Sequence, residues 1–387
     1  MKRSFSSPDR FLLASGLGLV AATYGLVRLA YGLFLPDVQR DLGFGADVGG
    51  TISAGASVLY CVGAAAGFLL AARAARSLAV VAAASAGIGA LVMASSPDTA
   101  VFGTAAVVAS TGAGLASPAM VQLVAGRVDD GLRDRAQAVV NSGTGPGLVV
   151  AGTLALVLLP DWRTAWAVAG VGTLAVGAAV AVAAGRPGRA PRASLPGRRW
   201  FGAQAAPVVV ALLFGAGSSA VWTYGRSALV DAGVPTRLTV VAWVALGLGG
   251  AAVALTTRWT TALPPDRQWV LTSAVSALAV VTIGLVPQVV AVAFVACALF
   301  GWGYTAATGA LIAWTGAIDP EHAAAGTSVL FVLLVAGQAI GAAAAGVLVG
   351  SAGTATTFLV ASVVVAVASA LPLAFGRTSL RPAVPTR

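Results

Sequence analysis

"FLLASGLGLVAATYGLVRLAYGLFL", residues 11 to 35, carries one charge, Arg28. About 20 apolar residues are enough to cross the hydrocarbon core of a bilayer as a helix. The run therefore reads as a membrane span with a guanidinium well inside it. On insertion scales such an arginine costs about 2.5–3.5 kcal/mol at the centre of a span. Either a structural partner relieves that cost, or the arginine is the reason the helix exists.

Similar runs fill the rest of the chain. Of its 387 residues, 58% are hydrophobic and 9% are charged, and the mean hydropathy is +0.91. A soluble domain carries roughly 25% charged residues, so most of this surface is expected to meet lipid. Marking apolar runs between charge and proline punctuation gives twelve spans: 11–35, 48–70, 78–95, 99–126, 136–159, 163–184, 207–231, 238–256, 269–286, 289–316, 323–349 and 354–375. Each is too long for a barrel strand and does not alternate, so each is expected to be a helix.

The net charge of +10 is placed at the borders of the spans. Eighteen of the 23 basic residues fall in alternate connections; these include Arg10, Arg73, Arg76, Arg127, Arg258 and Arg267. Only Arg40, Arg163 and Arg237 fall in the opposite set, which predicts an inner-membrane protein with both termini cytoplasmic. A nucleic-acid partner is not expected. Cys61 and Cys297 sit inside apolar runs and imply neither disulfide nor metal. One histidine, His322, at the start of the eleventh span beside Glu321, leaves no metal cluster and no catalytic triad, so an enzyme is not expected and no cofactor is implied. His322 itself is expected to be a loop residue without a role.

The longest polar stretch, "GRPGRAPRASLPGRRW" at 185–200, reads as a linker. It divides the chain into a first bundle at 1–184, a linker at 185–206 and a second bundle at 207–387. The halves repeat weakly. "TYG" occurs at 23–25 and at 223–225, each time just before an intramembrane arginine, Arg28 or Arg226. "GAG" at 112–114 is matched by "GWG" at 301–303. Parallel repeats with a site at their interface are a transporter plan.

Twelve spans, a basic central connection and paired halves resemble the major facilitator superfamily. The stretch "VRLAYGLFLPDVQRDLGF", 27–44, is similar to the first helix of its YbfB/YjiJ-type branch. "GFLLAARAAR", 67–76, resembles the loop signature between the second and third helices, keeping Gly67, Arg73 and Arg76 but with Ala71 at the aspartate position. "NSGTGPG", 141–147, resembles the Gly-Pro signature of antiporter members; without the resemblance, Gly145-Pro146 simply kinks its helix. The resemblance implies an all-α membrane protein of two pseudo-symmetric six-helix bundles that works by alternating access as a monomer. Organophosphate antiporters of the superfamily place one arginine in each of the two equivalent helices.

All 13 acidic residues fall in loops or at span ends. Asp37 and Asp231, at the ends of the first and seventh spans, are the nearest candidates for gating or coupling, together with Arg73 and Arg76. At 100° per residue, Tyr24, Arg28 and Tyr31 share a face of the first span, and Ser219, Trp222, Thr223 and Arg226 a face of the seventh. Asn141, Gln338, Gln122 and Tyr304 are further polar positions, each either cavity lining or interhelical hydrogen-bond glue. The expected substrate-binding set is Arg28, Arg226, Tyr24, Tyr31, Trp222, Tyr304, Asn141 and Gln338. The expected substrate is a small organic anion, such as a carboxylate or a phosphorylated or sulfonated metabolite. The alternatives are a proton-coupled efflux pump and a receptor or scaffold that transports nothing. Trp162, Trp166, Trp200, Trp259 and Trp269 are expected at the two membrane interfaces.

Overall fold

The computed structural model describes residues 5–185 and 197–375, and these are helical throughout with no strand. The chain ends and half of the proposed linker, with Lys2, Arg3, Arg186, Arg189, Arg192, Arg377, Arg381 and Arg387, lie outside the described residues. The first span is built from α1 (Ser7–Val20), a π-helical stretch (Ala21–Leu29) and α2 (Tyr31–Leu42). It begins at a capping box in which Ser6 and Asp9 satisfy each other's backbone N–H groups. It ends at Gly43, whose φ of 71° suits a residue without a Cβ.

The remaining helices are α3 (Ala46–Ala94), α4 (Thr99–Ala125), α5 (Arg133–Asn141), α6 (Thr144–Leu158), α7 (Trp162–Ala183), α8 (Arg198–Ala203), α9 (Ala205–Asp231), α10 (Thr236–Thr260), α11 (Pro265–Leu285), α12 (Val290–Ile318) and α13 (Ala323–Phe375). Among the described residues, ten stretches are long and apolar enough to cross a membrane. Two of these are 49 residues each. At 1.5 Å per residue, such a helix runs about 70 Å, more than twice the thickness of the hydrocarbon core. Each must therefore cross twice, and each breaks once, α3 at Ala74 (φ −139°) and α13 at Gly353 (φ 83°). The ten stretches thus make twelve crossings.

Two local expectations are sharpened. The connection at 67–76 lies where expected but is shorter than a loop: the helix breaks at Ala74 alone, with Arg73 and Arg76 exposed on either side. Arginine and alanine are good helix formers, so helix runs up to the break from both directions. The fifth span is divided between α5 and α6 at Ser142-Gly143, beside the expected Gly145-Pro146 kink. Pro146 lacks the N–H that would bond the Ser142 carbonyl, and its ring crowds that group. The tryptophans also depart from expectation, since Trp162, Trp166, Trp200 and Trp269 are buried and only Trp259 is exposed. Trp166 packs on Phe34 and Trp162 on Phe102, while the Trp269 indole donates to the Ala368 carbonyl.

The two halves of the chain meet where backbone can approach backbone. A Cβ at Gly32 would lie 2.0 Å from the Trp222 carbonyl oxygen, which seats α2 directly on α9. A Cβ at Gly50 would lie 2.4 Å from the Ala342 carbonyl oxygen, which does the same for α3 and α13. Hydrogen bonds follow these seams: Ser53 to Thr223 at 2.9 Å and Tyr224 to the Ala46 carbonyl at 2.5 Å. All of them lie at the end of the molecule that holds Asp37, where arginines are few. At the opposite end the bonds stay within one half, as from Arg127 to the Ala183 carbonyl and from Gln204 to the Thr315 carbonyl. Among the described residues, hydrogen bonds between halves stop at mid-depth, with Arg28–Gln338 and Cys61 to the Val332 carbonyl.

Candidate functional site

Arg28 sits where the seam stops. The span that carries it is the most enclosed of the ten, with 72% of its apolar window buried, so its polar face meets protein rather than lipid. The π-helical turn has a local effect on that face. An i→i+5 helix turns more slowly than an α-helix, which brings residues four apart closer to eclipse. Tyr24 therefore lies under Arg28, its ring centroid 5.2 Å from the guanidinium carbon. Tyr60 of α3 covers the guanidinium at 4.8 Å.

The guanidinium has polar contacts on Nη2 alone: to the Ser57 hydroxyl at 3.3 Å and to the Gln338 side-chain carbonyl at 3.0 Å. The Gln338 amide donates onward to the Tyr304 hydroxyl at 3.0 Å. Arg28 Nε is buried with no partner, and among the described residues no carboxylate forms an ion pair with Arg28. The charge is held by two neutral oxygens and two ring faces, with donors to spare. Cation–π contacts are worth about 0.5–2 kcal/mol each, which offsets part of the cost of burial and leaves the charge uncompensated.

Beyond Gln338 the wall is aromatic. Tyr304 stacks near Phe300 and Phe214, with centroids at 5.8 and 5.5 Å. Trp222 meets Tyr304 edge-on at 5.1 Å and Phe300 at 5.5 Å, and its indole N–H is buried without a partner. Tyr24, Arg28, Trp222, Tyr304 and Gln338, all named from the sequence, thus form one connected cluster drawn from both halves. Ser57 and Tyr60 join it and were not named. Their signal was present, since Ser53, Ser57 and Tyr60 recur at helical spacing along the second span.

Three of the expected residues lie elsewhere. Tyr31 follows the end of the π turn and points to α3, donating to the Gly49 carbonyl at 2.9 Å. Asn141 is exposed at the end of α5. Arg226 does not approach Arg28. It forms a buried ion pair with Asp37 across the seam, donates to the Leu33 carbonyl at 2.6 Å, and reaches Thr239 at 3.0 Å. Asp37 is correspondingly buried, because the first helix continues to Leu42 and encloses it. It is held from its own helix as well, by Arg40 at 3.3 Å. Asp231 remains exposed, with Thr354 donating to it at 3.4 Å. His322 lies 3.0 Å from Asp319 on the local turn.

A family model described as Major Facilitator Superfamily matches residues 17–334. Among solved structures, the chain is similar to a bacterial homolog of the human lysosomal transporter Spinster in an inward-facing, unoccupied conformation. The TM-score is 0.78 at 14% identity, covering 99% of this chain and 100% of that one. It is similar to the nucleoside transporter NupG at a TM-score of 0.77 and 11% identity, covering 96% and 100%. It is also similar to a POT peptide transporter in complex with sulfate, at a TM-score of 0.76 and 14% identity, covering 97% and 96%. At such identities the likeness is one of fold. No curated protein matches the sequence.

Proposed function

The chain belongs to the major facilitator superfamily, and from that premise we propose that it is a secondary transporter of a small organic anion, gripped by Arg28 at the meeting of two alternating halves. That it is a multi-pass membrane transporter and not an enzyme follows from the family and the fold. The moving bodies are 1–184 and 207–387, joined by 185–206 and working as a monomer in the inner membrane with both termini cytoplasmic. Under that orientation the seam closes the outer side and the site faces inward. The branch of the family is the YbfB/YjiJ-like one, on the stretch at 27–44.

One observation carries the reading. Arg28 is a buried cation with an unmet donor and, among the described residues, no carboxylate partner, and its polar contact to the other half is the uncharged Gln338. A carboxylate or another oxyanion supplies the missing charge in the fork geometry that guanidinium prefers. Tyr24, Trp222, Tyr304 and Gln338 shape the site, with Tyr31 and Asn141 outside it. Arg226, paired with Asp37, acts as a gate in this conformation, with Asp231, Arg73 and Arg76 at the rims. A melting-temperature screen of purified protein against metabolites and drugs, followed by counterflow in vesicles, identifies the substrate. If Arg28→Gln then transports that substrate with unchanged affinity, the proposal fails.

A proton-coupled efflux pump is the second reading, and the buried carboxylate of Asp37 favours it. Ethidium efflux driven by a pH gradient in vesicles, lost in Asp37→Asn, would establish it in place of the first.

A further inference from the structure

We infer that the substrate is a monoanion with an aromatic or bulky apolar body, an aryl monocarboxylate rather than a phosphate ester. The inference rests on the reading of Arg28 as the anion contact and narrows it by two observations.

The first is charge. Two intramembrane arginines in equivalent helices would make a doubly charged site if both were free. Asp37 neutralises Arg226 in a buried pair that also takes up the Leu33 carbonyl and Thr239. What remains uncompensated in the middle of the molecule is one positive charge. A carboxylate matches it, whereas a phosphate monoester carries about 1.5 to 2 negative charges near neutral pH and would enter with charge left over in a low-dielectric site. The groups that contact Arg28 from its own helix, α3 and α13 are Tyr24, Ser57, Tyr60 and Gln338. None can change sign to make up the difference.

The second observation is the wall. The half-buried Tyr304 and the buried Trp222, backed by the fully buried Phe300, form a continuous aromatic layer that begins one hydrogen bond away from Arg28 through Gln338. Tyr24 and Tyr60 cover the guanidinium and meet each other edge-on at 5.7 Å. Polar groups for a sugar or a polyol are few and largely engaged. The Tyr304 hydroxyl and Gln338 are bonded to each other, the Ser57 hydroxyl is bonded to Arg28, and what is left are the phenol hydroxyls of Tyr24 and Tyr60 and the buried indole N–H of Trp222. Ring faces of this kind recognise ring or alkyl bodies and give no preference for hydroxyl-rich ones.

The test uses the purified full-length protein and four probes of similar simplicity: phenylacetate, its neutral amide phenylacetamide, phenyl phosphate and acetate. Affinities are measured by calorimetric titration. Phenylacetate should bind at least about tenfold more tightly than each of the other three, as expected when a charge-assisted bond and an apolar body both contribute. Trp222→Leu should weaken phenylacetate about fivefold or more and acetate by a smaller factor, since the loss is of packing surface. Equal binding of phenylacetamide would sink the anion reading and this inference with it. Tighter binding of phenyl phosphate, or equal binding of acetate, would overturn the inference and leave Arg28 as an anion contact. Binding of none of the four probes would overturn it as well.

Discussion

Arg28 and Arg226 look alike in the sequence, each following a "TYG" triplet inside a span, yet folding gives them different surroundings. Arg226 is answered by a carboxylate and Arg28 is not. The reason lies in the chain separation of the partners. Asp37 and Arg226 are 189 residues apart, and no local pattern announces such a pair. Asp37 therefore reads as a solvated helix end until the first helix is seen to continue past it. Removing one partner of a buried ion pair typically costs about 3–5 kcal/mol, because the other charge stays buried. Asp37→Asn should accordingly lower the melting temperature of the detergent-purified protein, and the double variant Asp37→Asn with Arg226→Gln should recover part of the loss. An unchanged melt in Asp37→Asn would mean that the pair holds nothing together. For Arg28, Arg28→Lys should keep the charge and lose most substrate affinity, since a single ammonium cannot reproduce the fork. Equal affinity in Arg28→Lys would show that charge alone suffices.

Helices were the most legible level. Hydropathy located all twelve crossings, because an apolar run in lipid has little choice but to satisfy its own backbone. The connections were less legible. At 67–76 the break between the second and third spans falls where the arginines predict it, but it is a single residue, Ala74, with helix on either side and Arg73 and Arg76 exposed beside it. The π turn at Ala21–Leu29 left no mark in the sequence either, and it is what aligns Tyr24 with Arg28 and turns Tyr31 away. The tryptophans were misplaced for a related reason: residues near span ends were assigned to the lipid interface, while packing between helices took four of the five. At the seam between α2 and α9, Gly32 is the test of contact. Gly32→Val puts atoms where the Trp222 carbonyl stands, so it should separate the helices at that end. Alkylation by an impermeant maleimide of a cysteine placed at Ser53, in a background without Cys61 and Cys297, should rise several-fold in Gly32→Val. No rise would mean that the contact is not what closes the seam.

For the molecule as a whole, the halves touch from the Asp37 end to mid-depth, and Arg28 lies at the limit of that contact. If this arrangement is one of two that transport requires, fastening it should stop the cycle. Cysteines replacing Ser53 and Thr223, whose hydroxyls meet at 2.9 Å across the seam, lie within reach of a disulfide. Oxidation of that pair should abolish counterflow, and reduction should restore it. Persistent counterflow in the fully cross-linked protein would show that this seam need not open. The seam's two largest partners also share a feature of construction. The arm of α3 that touches α13 is continuous through Ala74 with an arm packed inside its own half, and the arm of α13 that touches α3 is continuous through Gly353 with another. A flexible connection would let a gate helix swing while its neighbours stayed still. Here each seam helix is joined to its neighbour in the same half through one non-helical residue, Ala74 or Gly353, so the angle at that residue sets how far a displacement at the seam is shared with the bundle behind it.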